Sequence, residues 1–282
     1  MSDDHVYLSL AEGHEDGDAR WAFGTGFEDP LHGVSTAVPE GVDRAELAAD
    51  CLALADDALV TAQRLAEWTT RAPELEEEVA LANIGLDLLG QARLLYARCG
   101  QVDGTGRGED AYAYFRGPEE FRNVRLAELP NGDFAFSMAR LLVFAAWRLA
   151  RFERLTASPD PVLAAVAAKG VKELAYHRQY AAEWVVRLGD GTEESHRRMR
   201  AGLGRVAPYL GELFDAQGAD AAGEARTEVL AVLRQVTGAA CLPLPDAPRV
   251  PGSGRAGDHT EHLAPLLAEL QSVARAHPEA TW

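Results

Sequence analysis

The chain has 282 residues, 47% of them hydrophobic, which is enough apolar material for one large domain or two small ones. Its formal net charge of −17 at pH 7 disfavours nucleic-acid binding, which depends on clustered lysine and arginine. No apolar run reaches the roughly 20 residues of a membrane-spanning helix, and the acidic N-terminus does not resemble a secretion signal. The three cysteines, Cys51, Cys99 and Cys241, are widely separated and predict neither disulfides nor a zinc site. We therefore expect a cytoplasmic protein.

Residues 1–43 are predicted to form an acidic, flexible N-terminal tail. This segment holds ten acidic residues against one arginine, Arg20, and is interrupted by glycine and proline. Such a composition cannot bury enough apolar surface to order the chain. Residues 44–282 are then expected to form a single helical domain.

Apolar residues at helical spacing predict four long helices after this tail, separated by short breaks that contain proline, glycine and aspartate. The predicted long helices are 44–68, 73–99, 134–155 and 161–188. Shorter helices or helical turns are predicted within 109–129, 193–214, 224–237 and 259–276, with a connection rich in proline and glycine at 243–257. Because no segment shows convincing strand periodicity, the pattern indicates an all-α bundle with peripheral and C-terminal helices.

The second helix carries polar residues where apolar ones are expected. Asn83, Asp87 and Gln91 recur every four residues along one edge of its apolar stripe, so they share a helical face. A buried carboxylate at Asp87 would need a cation or a hydrogen-bond donor from another helix. In four-helix bundles such carboxylates commonly bind two metal ions, with Glu-x-x-His from two helices and a lone Glu from the other two. Gly90 occupies the position of that histidine, so only half of a metal site is present.

The fourth helix holds a dense polar set that nearly matches the same motif. Glu173 and His177 miss the Glu-x-x-His spacing by one residue, which rotates a helical side chain by about 100 degrees, and Tyr176 stands at the ligand position. Lys169 and Lys172, the only lysines in the chain, lie one turn apart on this helix. Lysine and arginine are not interchangeable in a tight site, so these two are candidates for a specific role.

We interpret the polar positions as a former metal site in which lysine or arginine has replaced the metal charge. Asp56 could be the lone carboxylate of the first helix, whereas the third helix offers Arg148 and no acid. No catalytic, cofactor-binding or metal-binding residue is assigned. The predicted vestigial network consists of Asp56, Glu67, Asp87, Lys172, Glu173, Tyr176 and His177. An ordinary buried ion-pair network with no metal ancestry is the alternative explanation.

Two further spacings resemble metal ligands but have simpler explanations. Glu193 and His196 follow Thr192, a plausible N-cap, and are predicted to form a solvated helix start. His259 and His262 are three residues apart, and Asp258 is predicted to cap the last helix there, with Glu261 completing a capping box.

Five segments in order resemble the C-subunit family of ring 1,2-phenylacetyl-CoA epoxidase, the multicomponent monooxygenase of bacterial phenylacetate breakdown. These segments are LADDALVTAQRLAEW, APELEEEVALANIGLDLLGQAR, PNGDFAFSMARLL, VKELAYHRQYAAEWVVRLGDGT and DHTEHLAPLLAELQ. The resemblance extends over residues 44–282 and leaves out the acidic tail. The order of the segments makes it more specific than any one of them.

The resemblance implies a ferritin-like fold and a structural, non-catalytic role. The implied partners are a homologous catalytic subunit with a di-iron centre, smaller subunits, and a reductase that carries flavin and iron-sulfur groups and uses NADPH. Two other functions stay open at this point. The chain could be an active di-iron oxidase that binds iron through Asp56, Glu67, Asp87, Glu173 and His177. It could also be a free-standing helical binding protein.

Overall fold

The computed structural model describes residues 31–215, 219–244 and 246–280. Within these residues the regular structure is entirely helical, and the predicted all-α fold is confirmed. The described residues from Val34 onward form one compact unit. Residues 1–30 of the predicted tail lie outside the described residues. None of the described helices is long and apolar enough to cross a membrane.

Four long helices form the bundle, and short helices connect or cover them. Up to residue 189 the helices are α1 (Arg44–Ala66), α2 (Leu75–Val102), α3 (Glu109–Tyr114), α4 (Arg125–Glu128), α5 (Phe134–Leu155) and α6 (Pro161–Gly189). After residue 189 they are α7 (Glu193–Val206), α8 (Leu210–Asp215), α9 (Ala219–Ala239), α10 (Leu263–Leu270) and α11 (Ser272–Ala276). The four predicted long helices correspond to α1, α2, α5 and α6.

Short polar side chains fix where several of these helices begin. At each start a side-chain oxygen accepts a hydrogen bond from a backbone N–H of the first turn, which otherwise has no partner. The capping residues are Asp43 for α1, Asp133 for α5, Asp160 for α6 and Thr192 for α7. The predicted N-cap at Thr192 is confirmed, with Ser195 N at 3.1 Å from its Oγ1.

The helix α5 is the centre of the molecule. Every residue from Ala135 to Ala150 is buried, which is expected only of a helix that is covered on all sides. α6 packs along it, α1 pairs with α2 opposite, and α7 and α9 lie against its remaining surface. The predicted peripheral helices therefore complete the burial of a bundle helix.

Contacts with the helical domain start before residue 44. The Thr36 carbonyl accepts a hydrogen bond from Arg98 Nη1 at 2.7 Å, and Arg98 also forms a buried ion pair with Asp160. Asp43 caps α1 through hydrogen bonds from Ala45 N and Glu46 N. Residues within 34–43 thus contact the helical domain. The domain boundary at residue 44 stays a prediction.

Candidate functional site

One chain of hydrogen bonds crosses all four long helices at the centre of the bundle. Arg148 of α5 is fully buried and donates from Nη1 to the Leu54 carbonyl of α1 and from Nε to Gln91 Oε1 of α2, both at 3.0 Å. Gln91 in turn donates from Nε2 to Glu173 Oε2 of α6 at 2.8 Å. We call Leu54, Gln91, Arg148 and Glu173 the central polar chain. A guanidinium therefore lies where a bundle of this kind would hold metal ions.

Arg148 is held in an apolar setting that disfavours its charge. Burial lowers the pKa of Arg148 to about 9, so the guanidinium is still protonated at neutral pH. It lies over the Phe152 ring with 4.4 Å from Cζ to the ring centroid. Phe152 in turn occupies the space above Gly170, where an added Cβ would lie 2.5 Å from the ring. Because Gly170 has no side chain, the Phe152 ring can lie against it and contact the Arg148 guanidinium.

Lys169, not Lys172, supplies the second cation of this region. Its ammonium forms an ion pair with Glu173 Oε1, and the Glu173 side chain is only 14% exposed. Lys172 is exposed, so the expectation that it pairs with the buried carboxylates is wrong. The physical reason is helical spacing: Lys169 lies four residues before Glu173 and shares its face, whereas Lys172 is rotated away.

Two consecutive buried carboxylates on α1 are each neutralised by an arginine from outside the bundle. Asp56 accepts hydrogen bonds from Tyr96 Oη at 2.6 Å and from the Arg122 backbone N–H at 2.7 Å, and it pairs with Arg116. Both oxygens of Asp56 accept hydrogen bonds from neighbouring protein groups, so this carboxylate has a structural role.

The neighbouring Asp57 is not part of the network predicted from the sequence. It is completely buried, and it accepts hydrogen bonds from Val124 N at 2.8 Å and from Arg255 Nη2 at 2.5 Å. A signal for it exists, because the pair Asp56–Asp57 interrupts the apolar run LALADDALV, and one side of a helix cannot accommodate both.

Asp87, Tyr176 and His177 lie outside the central polar chain. Asp87 Oδ2 is 3.0 Å from His177 Nε2, but the Asp87 side chain is 38% exposed, so the expected burial of this carboxylate is wrong. His177 is buried, and its Nδ1 has no hydrogen-bond partner. Tyr176 is half-exposed. Of the three polar positions Asn83, Asp87 and Gln91 on α2, Gln91 alone is buried.

Glu67 belongs to the end of α1. Its carboxylate accepts hydrogen bonds from Arg64 Nη1 at 2.6 Å and from Asn131 Nδ2 at 3.1 Å. The structure therefore does not gather the seven predicted residues at one place. Glu173 alone joins the central polar chain; Asp56 and Glu67 have separate arginine partners, and Asp87 and His177 form a pair of their own.

These residues do not fit the di-iron centre that the resemblance implies for the assembly. Such a centre uses four carboxylates and two histidines in the core of a bundle. The central polar chain offers a guanidinium, an amide, a backbone carbonyl and one carboxylate. Among the described residues, the acidic groups close enough to share an ion are Glu74, Glu76 and Glu77, at the start of α2.

The start of the last helical segment differs from the prediction. α10 begins at Leu263 and its N-cap, His262, makes no side-chain capping bond, so the predicted cap at Asp258 is wrong. His259 Nδ1 instead lies 2.5 Å from Glu128 Oε1, and its Nε2 lies 2.9 Å from the Phe121 carbonyl. Burial opposes the charged imidazole, but the hydrogen bond and the charge of Glu128 outweigh it and raise the pKa of His259.

Known proteins resemble the chain along nearly its whole helical domain. Residues 35–282 match the family model described as phenylacetic acid catabolic protein. The chain is also 42% identical over 253 residues to the C subunit of 1,2-phenylacetyl-CoA epoxidase from Escherichia coli strain K12. That alignment covers 84% of this chain and 99% of the relative. The chain belongs to the phenylacetic acid catabolic protein family.

Proposed function

We propose that the chain is a structural, non-catalytic subunit of a multicomponent phenylacetyl-CoA 1,2-epoxidase in aerobic phenylacetate degradation. In this proposal it supports a homologous catalytic subunit that holds the di-iron centre. The flavin, the iron-sulfur group and the NADPH site belong to a reductase component, and smaller subunits complete the assembly. The Escherichia coli relative is named as one subunit of an epoxidase, which supports a role within such an assembly.

The observation that carries the proposal is Arg148 at the centre of the bundle. Insertion of an oxygen atom from O₂ into an aromatic ring requires a redox metal with open coordination positions. A buried, protonated guanidinium repels metal cations. Arg148, held by hydrogen bonds to Leu54 and Gln91, also fills the part of the core in which metal ligands would have to lie. The chemistry is therefore assigned to the partner.

The geometry disfavours the alternative of an active di-iron subunit. That function would need Asp56, Glu67, Asp87, Glu173 and His177 around common ions. Each of the four carboxylates instead has its own cationic or histidine partner, and these partners lie in three different parts of the fold: the segment after α3, α1 and α6. Recruiting them to one site would break the buried Asp56–Arg116 ion pair, at about 3–5 kcal/mol, in addition to three partly exposed pairs.

Iron partition tests the proposal. The chain is purified alone and again after co-expression with the candidate catalytic subunit, and iron is measured for the complex and for each separated subunit. We expect a stable heteromer in which iron and epoxide-forming turnover follow the catalytic subunit. Stoichiometric iron in the isolated chain would overturn the proposal.

A further inference from the structure

A short segment before α10 is attached to the rest of the fold through one buried carboxylate. Glu128 of α4 is completely buried, and its Oε2 accepts hydrogen bonds from Thr260 N and Thr260 Oγ1, both at 2.7 Å. Its Oε1 lies 2.9 Å from Asn123 Nδ2 and 2.5 Å from His259 Nδ1. We call residues 257–262 the latch segment. Glu128 thus joins the middle of this segment to α4.

The chain on either side of the latch segment has contacts of its own. Before it, Arg255 pairs with Asp57 and donates to the Ala53 carbonyl at 3.0 Å. After it, α10 begins at Leu263, whose side chain is completely buried. Opening of the latch segment therefore does not require these neighbouring contacts to break, so it is a local motion and not unfolding of the domain.

His259 is placed so that both of its ring nitrogens face acceptors. Nδ1 faces the Glu128 carboxylate, and Nε2 lies 2.9 Å from the Phe121 carbonyl oxygen, which can only accept. A neutral imidazole has one N–H and one lone pair, so it donates to only one of these two oxygens, whereas the charged imidazole donates to both. The three other donors on Glu128 favour its ionised form. The geometry therefore calls for a proton on His259, in agreement with its raised pKa.

Other charged groups near this contact do not replace Glu128. Arg122 opposes the positive charge of His259. Arg64 donates from Nε to the Glu128 carbonyl at 3.0 Å, but its ion pair is with Glu67. Further titratable groups around α4 and the latch segment are Arg125 and Glu212, which pair with each other, Tyr209, and, nearer the surface, Asp258, Glu261 and His262. Among the described residues, Glu128 is the carboxylate that hydrogen-bonds to His259.

We infer that Glu128 and His259 form a proton-dependent latch, which holds the latch segment closed while the imidazole is protonated and lets it open when the proton is lost. Loss of the proton leaves a nitrogen lone pair against an oxygen of Glu128 or Phe121, so one attractive contact becomes repulsive. Because the folded-state pKa of His259 is raised, the latch is closed at low pH and opens as pH rises through that value. The inference concerns contacts within this chain and does not depend on the proposed function.

Hydrogen–deuterium exchange of the full chain tests the latch directly. Exchange of peptides covering residues 257–262 is followed by mass spectrometry at about pH 6 and about pH 8.5, and each rate is divided by the rate of an unstructured peptide at the same pH. We expect protection of the latch segment, which includes the Thr260 N–H, to fall several-fold at the higher pH, while protection of α5 stays the same. Equal protection of the latch segment at both pH values would overturn the inference.

Two substitutions show whether His259 is the group that titrates. His259→Gln cannot carry a charge, so its latch segment should have low protection at both pH values. His262→Gln is the matched control, because His262 lies in the same segment with its side chain 37% exposed, and this variant should keep the wild-type response. A pH response that persists in His259→Gln, or that disappears in His262→Gln, would overturn the role of His259.

Nuclear magnetic resonance measures the proton without any substitution. In the full chain with isotope-labelled histidine, proton–nitrogen correlation spectra distinguish a charged imidazole from a neutral one by the shifts of the two ring nitrogens. We expect both nitrogens of His259 to be protonated at about pH 7. A neutral His259 at this pH would overturn the inference, even if the His259→Gln variant fails to fold.

Discussion

Asp57 Oδ2 lies 2.5 Å from Arg255 Nη2, so a carboxylate in the first helix of the bundle is paired with an arginine 198 residues later. Arg255 also donates to the Ala53 carbonyl at 3.0 Å. Asp57 is completely buried, whereas the Arg255 side chain keeps 18% of its surface exposed. This pair fastens the C-terminal segment to the bundle and neutralises a charge close to the central polar chain.

We expect Asp57→Ala to destabilise the fold by about 3–5 kcal/mol, since it leaves the mostly buried Arg255 guanidinium without its carboxylate and the buried Val124 N–H without its acceptor. Chemical denaturation measures the change in the free energy of unfolding. The matched control is Asp50→Ala on the same helix. It removes the ion pair with Arg151, in which the Asp50 side chain is 55% exposed. This control should cost less than about 1 kcal/mol. Equal losses for the two variants would contradict the account.

The two lysines should respond differently to removal of their charge. Lys172→Met should change the free energy of unfolding by less than about 0.5 kcal/mol, because the ammonium is exposed. Lys169→Met removes the ion pair with Glu173, and since Lys169 is itself about one-third exposed, the loss should be limited to about 1 kcal/mol. Thermal melts of both variants provide the comparison, and a larger effect at Lys172 would refute the observed pairing.

The link between Arg148 and Gln91 can be measured by a double-mutant cycle. Arg148→Met leaves the Gln91 Oε1 acceptor without its donor, and Gln91→Met leaves the guanidinium without its acceptor. Because either single change leaves a buried polar group unpaired, the double variant should lose less stability than the sum of the two. We expect a coupling energy of about 0.5–3 kcal/mol by urea denaturation. Simple additivity would show that the two side chains are independent.

His259 should make stability depend on pH. Its pKa is raised in the folded state, so its stabilising contribution is complete below the unfolded-state pKa of about 6.5 and is lost as pH rises through the higher folded-state value. His259→Gln cannot carry the charge. The stability difference between wild type and this variant should be larger near about pH 6 than near about pH 8.5. A difference that is constant over this range, or that grows with pH, would reject the charged Glu128–His259 pair.

The cysteines should differ in reactivity. Burial raises the pKa of the Cys99 thiol to about 11 and that of Cys51 further, whereas Cys241 is exposed. A thiol reagent such as Ellman's should therefore label one cysteine in the native chain and all three after denaturation. Rapid native labelling of Cys51 or Cys99 would disagree with the packing of α1 and α2.

Much of the helical architecture can be predicted from the sequence. The predicted third long helix, 134–155, agrees with the structure because Asp133 provides a capping side chain and a dense apolar pattern follows it. The last helix begins later than the predicted residue 259. His259 and Thr260 instead hydrogen-bond to Glu128, 131 and 132 residues away in the chain, and no local rule reveals such a contact.

The site is harder to predict because helical spacing gives the face of a side chain but not its partner or depth. Asp87 and Gln91 share a face and both contact α6, yet Gln91 is buried and Asp87 is partly exposed. Arg148 can be located on the third long helix, but its bonds to Leu54 and Gln91 depend on how α1, α2 and α5 meet. The sequence therefore suggests a cation in place of metal without indicating which cation it is.

Crystals of the assembled complex, measured with X-rays just above the iron absorption edge, show which subunit binds iron. Anomalous scattering locates iron independently of any assumption about ligands. We expect anomalous density within the bundle of the catalytic subunit and none among Leu54, Gln91, Arg148 and Glu173 of this chain. A peak bounded by Gln91 and Glu173, with Arg148 displaced, would contradict it and make this chain an iron-binding subunit.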